Sequence, residues 1–147
     1  MSDRPVVLFA CLHNSGRSVA AATLTRHYAG ALVEVRSAGS EPGTGVNPVV
    51  AQVLTELGLS TTDHTPTLLA PELVRDADVV VTMGCGETCP VFPGKRYEDW
   101  PVDDPAGQDL DTVRSIVADV DSRVRHLLRE MRPDVPLPTS VLTTAPS

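Results

Sequence analysis

Residues 6 to 18 read Val-Val-Leu-Phe-Ala-Cys-Leu-His-Asn-Ser-Gly-Arg-Ser, an apolar run that breaks into a short loop of mostly small and polar side chains. The run predicts a strand over Pro5–Ala10, and the alanine-rich stretch beyond it predicts a helix from Ser18 to Ala29. A strand that feeds a helix through so short a loop leaves the loop little freedom. Its amide N–H groups can curl toward one point, next to the positive end of the following helix.

That geometry favours a tetrahedral anion such as phosphate or arsenate. Leu12, His13, Asn14, Ser15, Gly16, Arg17 and Ser18 are the candidate oxyanion-binding residues. Arg17 adds a planar fork that can grip two oxygens together. The same positive field stabilises a negative sulfur on Cys11, the form that attacks, and Ser18 is placed to donate a hydrogen bond to it. Asn14 is read as a support that orients backbone or Ser18, and His13 as a surface residue. The Cys-to-Arg spacing alone recurs by chance. The preceding strand, the adjacent Ser18 and the helix start make the combination specific.

Further along, the pattern continues as alternating strands and helices: a strand at Leu32–Ser37, a turn-rich stretch at Gly39–Gly45, and a helix at Pro48–Leu57. Proline suits that helix's first turn and Gly58 its end, with Val49, Val53, Leu54 and Leu57 expected on its buried face. A short helix at Pro71–Arg75 leads into Asp78–Thr82, whose unbroken apolar centre fits a parallel strand buried on both faces. A shorter strand is expected at Lys95–Asp99. From Asp109 to Met131, apolar residues at three- and four-residue steps predict one long closing helix. The expected fold is α/β: a single-domain, doubly wound sheet of about four parallel strands flanked by helices, with its ligand site beyond the strands' carboxyl ends. This domain is expected over residues 1–132, followed by a flexible tail at 133–147 containing proline, threonine and serine.

Composition narrows the partners. The net charge of −7 argues against nucleic acid, so any anion must be captured locally by backbone and Arg17. No apolar run is long enough to span a bilayer, and Asp3 and Arg4 precede only a few hydrophobic residues, so neither a membrane span nor a signal peptide is expected. Three cysteines without framework spacing fit a reducing, cytoplasmic setting.

Two of those cysteines sit in Met83-Gly-Cys-Gly-Glu-Thr-Cys-Pro90. Residues one helical turn apart have Cα atoms about 6 Å from each other, within disulfide range, so a reversible Cys85–Cys89 bridge is geometrically reasonable. A zinc site lacks a second cysteine pair and paired histidines, and two inert thiols are the plainer alternative. Asp104-Pro105 is an ordinary turn signal, or a carboxylic acid poised to protonate a leaving oxygen.

The loop at Cys11–Ser18 resembles the catalytic loop of the low-molecular-weight protein tyrosine phosphatase superfamily, which includes the thioredoxin-coupled arsenate reductases. Ser37-Ala38-Gly39, Val79-Val-Val-Thr-Met83, the Cys85 and Cys89-Pro90 pair, and Trp100-Pro-Val-Asp-Asp-Pro105 resemble arsenate reductase landmarks in the expected order. The resemblance implies that Cys11 attacks arsenate, Arg17 holds it and Asp104 acts as general acid. It also implies that Cys85 attacks the Cys11 adduct, Cys89 resolves it as a Cys85–Cys89 disulfide, and thioredoxin reduces that bridge without any bound cofactor. Here the two cysteines are separated by only three residues, fewer than in better-known members, and alanine at 21–22 replaces a glutamate that contributes to a potassium site in some relatives. No metal is therefore expected. A phosphatase using Cys11, Arg17 and Asp104 is the rival, although Ala106-Gly107-Gln108 stands where family phosphatases place aromatic residues. A non-catalytic redox switch at Cys85–Cys89 is the third reading.

Overall fold

The computed structural model describes residues 4–62, 64–84, 93–134, 136–138 and 140. Four strands, β1 (Val6–Cys11), β2 (Glu34–Gly39), β3 (Val79–Met83) and β4 (Arg96–Asp99), form one sheet in the order β2-β1-β3-β4. Every pairing is parallel. The helices are α1 (Arg17–Ala29), α2 (Pro48–Glu56), α3 (Pro71–Asp76) and α4 (Leu110–Met131), with a 3-10 turn at Gly30–Leu32. The chain leaves β1 toward β2 on one side and returns to β3 on the other. That reversal opens a crevice beyond the carboxyl end of β1.

β1 is apolar throughout because both its faces are covered. Val7, Phe9 and Cys11 join a core with α1, α2 and α4, whereas Leu8 joins Ala38, Val74, Ala77 and Val80 on the other face, where α3 packs. α1 is buried almost all round. Its alanines at 20, 21 and 22 let its backbone approach the sheet, and the hydroxyl of Thr25 is satisfied by the Ala21 carbonyl at 2.7 Å.

The expected elements are found with ends shifted by one or two residues. α2 departs in phase: Val50, not Val49, is buried with Val53 and Leu54, while Val49 and Leu57 are half-buried. Val49 and Leu57 still pack against the same core, and Asn47 caps the helix, its side chain accepting from the amides of Val49 at 2.9 Å and Val50 at 3.2 Å. The helix closes at Gly58 (φ 83°), where Leu59 N–H donates to Leu54 O and Gly58 N–H to Thr55 O, each at 2.9 Å. On α4 every expected apolar position is buried except Met131, which is half-buried. Beyond Arg132, Leu137 packs against the core, Arg125 Nη1 donates to Pro138 O at 2.7 Å, and Ser140 Oγ donates to Asp121 at 2.8 Å.

Exposed ion pairs tie the outer layer together: Arg114 grips Glu56 on α2 (3.0 Å), and Arg96 on β4 meets Glu130 on α4. Hydrogen bonds from these arginines hold the Glu56 and Glu130 carboxyls below the ordinary glutamate range, and capping of Thr112 does the same for Asp109. A depressed folded pKa stabilises the protein above the unfolded value and loses that contribution as pH falls through the folded one. Thermal midpoints should therefore hold from neutral pH down to about pH 5 and decline below about pH 4. Asp109→Ala and Glu56→Gln should flatten that decline. A midpoint that rises on acidification would contradict this.

Candidate active site

Cys11 is the last residue of the central strand, beside Gly39 on β2 and Met83 on β3. The loop that follows is fixed by its carbonyls. Cys11 O accepts from Ser40 N–H (3.2 Å), Leu12 O from Glu41 N–H (2.7 Å) and His13 O from Gly43 N–H (2.9 Å). Asn14 O accepts from His64 Nε2 (2.9 Å), Ser15 O from Asn47 N–H (2.8 Å) and Gly16 O from Ala20 N–H (2.9 Å). None of the described peptide bonds is cis, and in a trans peptide the N–H points opposite to the C=O. With the carbonyls from Cys11 to Gly16 drawn outward, the N–H groups of Leu12 to Arg17 are turned to the loop's inner side.

The start of α1 reinforces this field. Gly16 supplies no side-chain cap and the first turn carries no acidic residue, so its amides are left for an outside acceptor. Asn14 turns the loop with φ 52°, a conformation asparagine tolerates better than most residues. Its side chain is fully buried, accepting from Thr67 N–H at 2.9 Å and donating to Ser18 Oγ at 2.7 Å. Because Ser18 Oγ accepts there, its own hydrogen is free for Cys11 Sγ, 2.9 Å away. A thiolate at this position thus has a buried hydroxyl donor aimed at it.

The second wall comes from residues 100–106. Trp100 packs on Phe9 with ring centroids 5.8 Å apart and donates from Nε1 to Glu98. Trp100 and Val102 are buried, so the chain is anchored before the exposed Asp103 and Asp104. Arg17 Nη2 lies 3.7 Å from Asp104 Oδ2, and Nη1 donates to Val102 O at 3.4 Å. Pro105 seals the side: a Cβ on Gly16 would fall 2.7 Å from Pro105 Cγ. The cavity enclosed by Cys11, Arg17, Asp104, Pro105 and Ala106 measures about 40 Å³. Pockets for drug-sized ligands run to roughly 300–1,000 Å³, so this one is of small-ion size.

Cys11, Asn14, Arg17, Ser18 and Asp104 are therefore brought together, with Leu12, Ser15 and Gly16 on the same loop. His13 is exposed and donates from Nδ1 to Glu41 O. Cys85 and Cys89, and with them the expected disulfide, lie outside the described residues. The chain reaches them from Gly84, whose φ is 85° and where a Cβ would sit 2.6 Å from Arg17 Nη1. His64, Asn47 and Thr67 hold the loop, yet no local pattern marks them. The bonds that make them part of the site join residues 32 to 53 apart in sequence.

Ser18→Ala removes the donor to sulfur and leaves buried Asn14 Nδ2 without its acceptor. A hydrogen bond to a charged group contributes about 1.5–3 kcal/mol, so alkylation of Cys11 by iodoacetamide at pH 7 should slow roughly 10- to 150-fold. An unchanged rate would show that the hydroxyl does not act on the sulfur.

Comparison with known proteins follows the same lines. The sequence model described as low molecular weight phosphotyrosine protein phosphatase matches residues 6–137. Arsenate reductase 2 of Staphylococcus saprophyticus is 32% identical over 127 residues, covering 84% of this chain and 96% of that protein. The structure of a thioredoxin-dependent arsenate reductase from Corynebacterium glutamicum superposes with a TM-score of 0.82 at 42% identity over 91% of this chain. This chain spans 65% of the length of that Corynebacterium protein. An arginine phosphatase from Geobacillus stearothermophilus superposes with a TM-score of 0.77 at 25% identity, covering 88% of this chain and 94% of the phosphatase.

Proposed function

The chain belongs to the low molecular weight phosphotyrosine protein phosphatase family, and from that membership we propose that it is an arsenate reductase recycled by thioredoxin. The observation that carries this reading is the exit of β3. Met83 pairs with Cys11, and Gly84 lies against Arg17 immediately before Cys85 in the chain. The residue that follows Gly84 in sequence is a second thiol, Cys85, for which a phosphatase has no use.

Arsenate would enter the small cavity with its oxygens on the loop amides and the Arg17 fork. The Cys11 thiolate bonds to arsenic as one As–O bond breaks, and Asp104 protonates the departing oxygen, which leaves as water. The Cys85 thiolate then attacks the Cys11 sulfur. An S–S bond forms and the S–As bond breaks with its electron pair staying on arsenic, so As(V) becomes As(III) and leaves as arsenite. Cys89 attacks Cys85 and frees Cys11 as thiolate. The dithiol of thioredoxin reduces the Cys85–Cys89 bridge, so no resident cofactor is required, and the reducing cytoplasm is the setting that supplies it.

Phosphatase activity is the second reading, supported by the family and by the likeness to an arginine phosphatase. Against it stand the 40 Å³ cavity and the Pro105 and Ala106 wall, which offers no aromatic face to a substrate ring.

The test is arsenate-dependent NADPH oxidation by the purified chain with thioredoxin and thioredoxin reductase, with one arsenite formed per NADPH. Asp104→Asn should lower this rate by about 10²- to 10⁴-fold, the usual contribution of a general acid. A protein that forms no arsenite with thioredoxin or with small thiols, yet hydrolyses an aryl phosphate efficiently, is a phosphatase instead.

A further inference from the structure

Beside the catalytic loop lies a second, larger pocket of about 650 Å³, open to solvent and bounded by α1, β2, α3 and residues 60, 61, 64, 65 and 67. Its size falls inside the range that holds organic ligands and is far too large for an inorganic ion alone. Among the described residues, neither a carboxylate nor a Phe, Tyr or Trp ring lines it. It is instead lined by Arg26, Arg36, His64 and several hydroxyls, on a chain whose net charge is −7.

The groups facing this cavity are largely uncommitted. Arg26 Nη2 donates to Val35 O at 3.1 Å, and no carboxylate among the described residues pairs with it. Arg26 is exposed as a residue, and the partial burial of its guanidinium pushes its pKa below the ordinary arginine value. Arg36 is ion-paired with Glu34, so among the described residues Arg26 is the lining cation without a carboxylate partner. Among the described residues no partner holds the hydroxyls of Thr23, Ser37, Thr61 and Thr65. His64 uses Nε2–H on the Asn14 carbonyl, which leaves its Nδ1 for another partner.

We propose that this cavity binds a sugar phosphate, its phosphate on Arg26 and its hydroxyls on the serine and threonine side chains, and that His64 relays occupancy to the catalytic loop. A guanidinium without a counter-charge selects an oxyanion head, and four free hydroxyls in a space this large select a hydroxylated body over an apolar one. The relay is a single bond. Asn14 O shares a peptide plane with the N–H of Ser15, so any change in the His64 bond alters that amide of the loop.

Amide chemical-shift titration of the full chain tests this, with glucose 6-phosphate, gluconate, glucose and inorganic phosphate as probes. Arg17→Ala silences anion binding at the catalytic loop. In that variant glucose 6-phosphate should still give saturable shifts at Ser37, Thr61 and Thr65, with Ser15 following the same isotherm. Arg26→Gln, which keeps a donor for Val35 O, should weaken binding at least tenfold. Ser37→Asp should abolish it by setting a negative charge against the ligand. Glucose should not bind, and inorganic phosphate should shift only the residues of the catalytic loop, an effect lost in Arg17→Ala. No saturable shift with glucose 6-phosphate, or equal affinity in Arg26→Gln and wild type, overturns the site. Gluconate binding as tightly as glucose 6-phosphate overturns the choice of phosphate. Saturation at the cavity with Ser15 unmoved overturns the relay.

Discussion

Cys89→Ser is expected to release one arsenite per chain and then stop, whereas Cys11→Ser and Cys85→Ser release none. The three outcomes separate because the proposed relay gives each thiol a different step. Cys11 is 2% exposed on the floor of the oxyanion loop, with Ser18 as its hydrogen-bond donor. A serine there keeps the shape but is a far weaker nucleophile at neutral pH, so no bond to arsenic forms. Without Cys85 the adduct has no thiol to break its S–As bond and reverts. Without Cys89 the first turnover proceeds, and the chain is trapped as a Cys11–Cys85 disulfide. Multiple-turnover rates should fall about a thousandfold or more in each variant, since residues that act as one unit each abolish the whole when removed. Mass spectrometry after alkylation should find the trapped disulfide only in Cys89→Ser, lighter than the reduced chain by two hydrogens. Sustained turnover of Cys89→Ser with thioredoxin would show that the farther cysteine is dispensable, and the relay would shrink to two thiols.

Gly39→Ala should be nearly as damaging although residue 39 carries no chemistry. A Cβ there would lie 2.7 Å from both Asn14 N and Leu12 O, and 2.9 Å from the carbonyl carbon of His13. All three are backbone atoms of a loop whose carbonyls are already tied to partners, so the loop cannot yield without breaking some of those bonds. Overpacking of this kind costs about 1–3 kcal/mol of stability. A displacement near 1 Å at reacting groups costs about 10²-fold in rate. Arsenite formation, the urea midpoint and stabilisation by phosphate should therefore all fall together. Gly45→Ala is the control, because open space surrounds that position. Wild-type turnover in Gly39→Ala would mean that the loop's geometry is not what limits the reaction.

The strands and helices were legible because each follows a period: unbroken apolar runs for β1 and β3, and three- and four-residue steps for α4. Cys11, Arg17 and Ser18 were legible because one strand, loop and helix carries them. Val50 was not, since which of the adjacent Val49 and Val50 is buried more deeply depends on how α2 meets the sheet and α4. His64 was also out of reach, and Gly39 was legible only as a turn and a family landmark, not as a close contact of the loop. Each matters only through what it touches, and those contacts exist only once the sheet has brought distant segments together. Asp104 lay in between: its turn was readable, but its place beside Arg17 depends on Trp100 and Val102 anchoring the preceding residues.

The carbonyls that shape the oxyanion loop are held from outside, by residues 40–47, by His64 and by the first turn of α1. Closing contacts between such distant segments is a late event for a growing chain, because loop-closure entropy must be overcome first. A nascent or partly unfolded copy consequently has no assembled oxyanion loop around Cys11. Anion binding at the loop is expected only with the finished fold, and it should vanish in the same cooperative transition.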